Sequence, residues 1–149
     1  MIPLTIRTFI SNAPAIIRPQ DSVKHALDLM RTADIAELLV MDDGRLVGTV
    51  SERDIWQHCP MSALLLDDQQ AVELLAQFRV GSVMTLHPLV VTPETPLSEA
   101  AQLLAQCGRS GLPVVEQGTL IGFLRDTSVM QALALVAKSN EDRGKADKE

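Results

Sequence analysis

Tyrosine is missing from this sequence altogether, and Trp56 with three phenylalanines is its whole aromatic complement. A core built from such residues has to be aliphatic, and 46% apolar with 21% charged residues is a globular balance. Cysteine is nearly as scarce. Cys59 and Cys107 stand far apart, with no CxxC and no nearby pair of histidines, which argues against a metal site and leaves both as reduced packing residues. Excess basic charge is absent too: a formal net charge of -6 and a pI near 5.0 oppose the concentrated basic face that phosphate backbones require, so no nucleic-acid partner is expected. No apolar run approaches the roughly 18 to 20 residues that cross a bilayer. The opening "MIPLTIRTFISNAP" has neither a basic start nor a small-residue cleavage site, so the expectation is a soluble, cytoplasmic protein with no membrane partner. Catalytic signatures are also missing, with no Ser-His-Asp or Cys-His arrangement and no Gly-rich phosphate loop, and a non-enzyme is expected.

What the 149 residues do contain is an internal repeat. Shifting the sequence on itself by 74 positions aligns about Ile6–His58 with about Val80–Ala132 without a gap. Pro19 meets Pro93, Ala26 meets Ala100, Leu29 meets Leu103, Leu38 meets Leu112 and Val40 meets Val114. Gly44, Leu46, Gly48 and Gln57 meet Gly118, Leu120, Gly122 and Gln131.

Each copy reads in the same order. A brief strand, "AII" at 15–17 or "LVV" at 89–91, precedes a helix, with Asp21-Ser22 and Thr95-Pro96 as N-cap and first helical residue. Val23, Ala26, Leu27 and Met30, and likewise Leu97, Ala100, Ala101 and Leu104, form one buried stripe at i, i+3, i+4 and i+7. "LLVMDDGRLVGTV" and "LPVVEQGTLIGFL" predict hairpins turning at Asp43-Gly44 and Gln117-Gly118. A closing helix follows over about Glu52–His58, and over about Thr127–Ala137 in the second copy. The predicted organisation is repeat 1 over 6–58, a connecting segment over 59–79 with a helix beyond Asp67-Asp68, repeat 2 over 80–137, and a disordered charged tail over 138–149. The fold class is α+β, two β-α-β-β-α units that each bury too little alone and should pack sheet against sheet.

The order, spacing and duplication of "SVKHALDLM", "LLVMDDGRLVGTVSERDI", "VGSVMT" and "PLSEAAQLLAQCGRSGLPVVEQGTLIGFL" resemble a tandem pair of cystathionine β-synthase (CBS) domains, a Bateman module, over roughly residues 6–135. The resemblance implies a pseudo-twofold module that often forms a homodimer. It also implies that an adenosyl ligand such as AMP, ADP, ATP or S-adenosylmethionine binds as a regulatory ligand rather than a required cofactor, with some other protein being regulated.

The stretch "GTVSERDI" carries the chemistry. Ser51 with Asp54 three positions later is the pattern of a capping box, which explains the pair without any ligand. A helix start following a strand and Gly48 also presents amides to a phosphate, with Arg53 adjacent, and Asp54 would then have to face ribose hydroxyls. In the CBS modules that this chain resembles, the G-h-x-S/T-x-x-D stretch holds ribose through the Asp and phosphate near the Ser/Thr. Gly48, Thr49, Val50, Ser51 and Asp54 match it, with Thr49 at a place that is otherwise apolar. The second copy, "GFLRDTSV", has Arg125 and Ser128 at the places of Ser51 and Asp54, with Asp126 or Thr127 left to cap. The resemblance therefore implies one main site, in the inter-repeat cleft, completed by Leu89 and by Arg109, Ser110 and Gly111 from the second copy. Arg109 is either a phosphate contact or a solvated residue after a helix end at Cys107-Gly108. His58 and His87 are further residues within approach of a phosphate. The alternative to a ligand sensor is a ligand-free module for dimerisation or protein interaction, in which Ser51 and Asp54 only cap.

Overall fold

The computed structural model describes residues 4–13, 15–59 and 67–147, so part of the predicted connecting segment, 60–66, and the last two residues of the predicted tail lie outside the described residues. The elements are a 3₁₀ turn at Ile6–Phe9, then β1 (Ile16–Ile17), α1 (Val23–Ala33), β2 (Glu37–Asp42), β3 (Arg45–Ser51), α2 (Glu52–His58), α3 (Asp68–Gln77), α4 (Val80–Val83) and β4 (Thr85–Leu86). The second half continues with α5 (Leu97–Cys107), β5 (Gly111–Glu116), β6 (Thr119–Arg125) and α6 (Asp126–Asp147). This is the mixed α+β class expected. Among the described residues, no helix is long and apolar enough to cross a membrane.

Residues Ala13–Pro88 form one compact unit, and Leu89–Glu149 together with Met1–Asn12 form the other. In the first, a four-stranded sheet runs β1-β2-β3-β4, with β1 parallel to β2 and the other pairs antiparallel. Its core joins the α1 stripe of Val23, Ala26, Leu27 and Met30 to Leu38, Val40, Val50 and Ile55. The second unit repeats this plan around β5-β6, with the outer strands reduced to single bridges, Val91 to Val114 and Ser11 to Phe123. Val91 stands at the place of Ile17, but the rest of "LVV" is exposed and unpaired in the sheet, so the predicted second-copy strand shrinks to one residue.

Both hairpins turn as the sequence predicts. Asp43 and Gly44 have φ of 49° and 77°, and Gln117 and Gly118 have 52° and 81°, the two successive left-handed residues of a turn whose twist matches that of the flanking strands. The helix starts differ by one residue from the prediction. Ser22 is the N-cap, its hydroxyl accepting from the His25 amide at 3.1 Å, while Asp21 accepts from the Arg18 amide at 3.0 Å. In the second copy Pro96 occupies the N-cap and helical backbone begins at Leu97. Thr95 instead turns its hydroxyl to the Thr92 amide at 3.1 Å. The helix beyond Asp67 forms as α3, closed by a capping box between Asp67 and Gln70.

The compact units cut across the repeats at two places. The first 3₁₀ turn and Ser11 do not join the rest of repeat 1: fully buried Ile6 lies in the core of the second unit, and Ser11 pairs with Phe123. Reciprocally, α4 and β4, which lead into repeat 2, pack on the first unit, where Val80 is fully buried and Thr85 pairs with Thr49. Each lead-in thus completes the sheet of the other copy. The tail expected to be disordered from 138 is helical through Asp147 as the end of α6. Its residues 138–145 are all exposed, so helix propensity of Lys, Glu, Arg and Ala, with Glu141 and Lys145 spaced i, i+4, has to sustain it in place of burial.

Candidate ligand-binding site

The predicted pair at the start of α2 forms a complete capping box. Ser51 Oγ accepts from the Asp54 amide at 3.0 Å, and Asp54 Oδ2 accepts from the Ser51 amide at 2.9 Å. A third partner comes from outside the stretch: the Thr85 hydroxyl on β4 donates to Asp54 Oδ1 at 3.2 Å. Both carboxylate oxygens are therefore anchored inside the first unit. Each oxygen accepts more than one hydrogen bond, so capacity for two donors from a ligand remains.

The amides expected to face a phosphate are largely committed. Glu52 N donates to the Ala36 carbonyl at 3.1 Å, and Asp54 N is taken by Ser51. With Glu52 and Asp54 both acidic in the first turn, α2 offers a hydroxyl-binding carboxylate more readily than an anion cradle. The Arg53 side chain is exposed beside them. Thr49 is the only polar residue among the buried ones described, lying in β3 opposite Leu39 and Thr85. His58 donates its Nδ1 proton to the Asp54 carbonyl at 2.8 Å, which ties it to α2 itself.

Strand pairing explains how Thr85 reaches Asp54. Thr85 lies opposite Thr49 and Leu86 opposite Gly48 in an antiparallel pair. A Cβ on residue 48 would stand 2.5 Å from the Thr85 carbonyl oxygen, so glycine there is what admits β4. Thr85 escaped the sequence reading because it is 31 positions from Asp54. A faint signal exists, since the repeat offset sets it against Ser11, a second hydroxyl at the end of a lead-in.

The second copy is built differently. Asp126 begins α6, donating its amide to the Ser110 carbonyl at 2.9 Å and accepting from the Thr127 amide at 2.7 Å. Arg125 lies 5.7 Å from the centroid of the Phe123 ring, a cation-π contact. That ring also explains Gly111, whose Cβ, if present, would collide with Phe123 and stand 2.6 Å from the Leu124 carbonyl oxygen. Arg109 lines a groove of about 250 Å³ between α5 and α6, together with Asp126, Met130 and Leu133. Leu89 is 39% exposed at the start of its unit. The structure therefore brings Thr49, Ser51, Asp54 and the unforeseen Thr85 together in one unit, and gives Gly111 and Ser110 internal roles in the other.

The CBS domain family model matches residues 6–55 and 80–135. The chain belongs to the CBS domain family. It is a tandem pair, as the repeat implied. Its sequence is 31% identical over 146 residues to the chloroplastic CBS domain-containing protein CBSX2 of Arabidopsis thaliana, a match covering 85% of this chain and 61% of the plant protein. It is 26% identical over 147 residues to the CBS domain-containing protein YhcV of Bacillus subtilis, covering 95% of this chain and 91% of that one. The crystal structure of CBSX2, a CBS-pair protein, matches with a TM-score of 0.76 at 32% identity, covering 91% of this chain and 98% of that one. CBSX2 in complex with AMP matches with a TM-score of 0.70 at 33% identity, covering 89% and 98%. This chain spans less than two thirds of the full-length plant relative.

Proposed function

We propose that this chain is a non-enzymatic regulatory module that binds an adenosyl ligand of the AMP, ADP or ATP class, mainly at the Ser51-x-x-Asp54 stretch of the first repeat. The observation that carries the reading is the Asp54 carboxylate, held by the Ser51 amide and the Thr85 hydroxyl on separate oxygens, with acceptor capacity left for the two hydroxyls of a ribose. The AMP complex of a relative at 33% identity supports the ligand class. The absence of a carboxylate at Ser128 supports a single main site. No cofactor is needed for such a role. The reading includes a cytoplasmic homodimer that passes ligand occupancy to a regulated protein, with Arg53, Leu89, Arg109, Ser110 and Gly111 as further candidate contacts.

Calorimetric titration of the wild type, Asp54→Asn and Ser128→Ala with AMP, ADP, ATP and S-adenosylmethionine tests it. Saturable binding of one of these that is lost in Asp54→Asn and kept in Ser128→Ala is the expected result. No heat with any of the four, or equal affinity in all three proteins, overturns it. A second reading is favoured by the completeness of the capping box, which satisfies Ser51 and Asp54 without a ligand. In that case the chain is a ligand-free dimerisation or protein-interaction module, and all four adenosyl compounds leave its thermal midpoint unchanged.

A further inference from the structure

We propose that Thr85 is the positioning residue for the Asp54 carboxylate, and that β4 is thereby part of the ligand site; this rests on the adenosyl-ligand reading above. A carboxylate at the end of an Asp side chain rotates in a broad twofold well about its last torsion. The capping bond from the Ser51 amide, 2.9 Å to Oδ2, fixes one oxygen and leaves that rotation as a hinge. The Thr85 hydroxyl, 3.2 Å from Oδ1, holds the other oxygen from a different element and so fixes the plane. With the plane set, the remaining lone pairs of the two oxygens point where a vicinal diol would meet both at once.

The contact is a product of the strand register. Thr85 is paired with Thr49, and Gly48 admits the Thr85 backbone where a Cβ would stand 2.5 Å from its carbonyl oxygen. The same geometry recurs in the second copy, where Ser11 pairs with Phe123 and a Cβ on Gly122 would stand 2.6 Å from the Ser11 carbonyl oxygen. There residue 128 is serine, with no carboxylate to orient. The positioning pair is thus a property of the first copy alone.

The test is AMP affinity, by calorimetry, of full-length Thr85→Val, Thr85→Ser and Asp54→Asn beside the wild type. Valine keeps the β-branched shape for the strand and removes the hydroxyl. Thr85→Val is expected to weaken AMP about tenfold, the worth of one hydrogen bond to a charged group, while Thr85→Ser retains wild-type affinity. Wild-type affinity in Thr85→Val, with AMP still lost in Asp54→Asn, overturns the positioning role and leaves the adenosyl reading standing. Equal weakening in Thr85→Val and Thr85→Ser also overturns it, since a loss that serine does not rescue belongs to strand packing. A wild type that binds no AMP overturns both.

Discussion

Replacing Asp54 with alanine separates what the residue does for the fold from what it does for a ligand. Without ligand, the substitution removes the acceptor of the Ser51 amide and the acceptor of the Thr85 hydroxyl. Thr85 is exposed, so water replaces the second bond at little cost. The Ser51 amide is part-buried and loses its partner, which costs about 1 to 2 kcal/mol. The other half of the box survives, because Ser51 Oγ accepts from the backbone amide of residue 54, whatever its side chain. Alanine also suits a helix better than aspartate by about 0.5 kcal/mol, so the net loss is about 1 kcal/mol. For a chain of this size that is a fall of roughly 2 to 4 °C in the thermal midpoint. Trp56, the single tryptophan, sits two positions along α2 and gives a fluorescence signal for urea denaturation at the perturbed helix. An unchanged midpoint would refute the capping account, and a loss above about 4 kcal/mol would show that far more than one bond depends on the residue. Adding AMP at about 100 times its wild-type dissociation constant should stabilise the wild type by roughly 2.7 kcal/mol and the variant by little. Equal stabilisation of both would reduce Asp54 to a cap.

Gly48→Ala and Gly122→Ala should each destabilise by about 1 to 3 kcal/mol in thermal melts, because the added Cβ meets backbone oxygens of Thr85 and Ser11 that cannot turn aside. Gly144→Ala, with nothing within 4 Å of the added carbon and a helical backbone around it, should instead stabilise slightly; a matching loss there would undo the distinction. A thiol reagent should label exposed Cys107 quickly in the native protein and buried Cys59 slowly. Burial pushes the Cys59 thiol pKa up, so its contribution to stability is fully present below the ordinary thiol pKa of about 8.5 and is lost as pH rises through the higher folded value. Melts taken across that alkaline range should show a decline that Cys59→Ala lessens, and an identical decline in the variant would contradict the assignment.

Much of the first half of the site was legible because its signals are local. A capping box needs residues three apart, and Ser51 and Asp54 announce it in four letters. The hairpin turns were legible for the same reason: Asp43-Gly44 and Gln117-Gly118 occur where two apolar runs meet. The α1 stripe follows from helical periodicity, which the chain expresses at every i, i+3 and i+4 step from Val23 to Met30. The end of α6 was misread because a charged segment without an apolar face carries no periodic signal, and helix propensity alone left no mark distinct from disorder. The packing reason for glycine at 111 was not legible either, because the Phe123 ring that a Cβ there would strike comes from the other strand of the hairpin.

By itself, then, the sequence determined the family, the duplication, the α+β units and the helix start at Ser51, since each is written in neighbouring residues or in the fixed repeat offset. Only the tertiary structure decided which body each lead-in joins. Ile6 and Val80 are interchangeable in the repeat, both apolar and both fully buried, so nothing local distinguishes packing on one's own copy from packing on the other. The choice is made by core shape and strand register, with Gly48 and Gly122 admitting the incoming backbone. That choice is also what brings Thr85 to Asp54 across 31 positions, because a hydrogen bond depends on distance in space and the sequence records only distance along the chain.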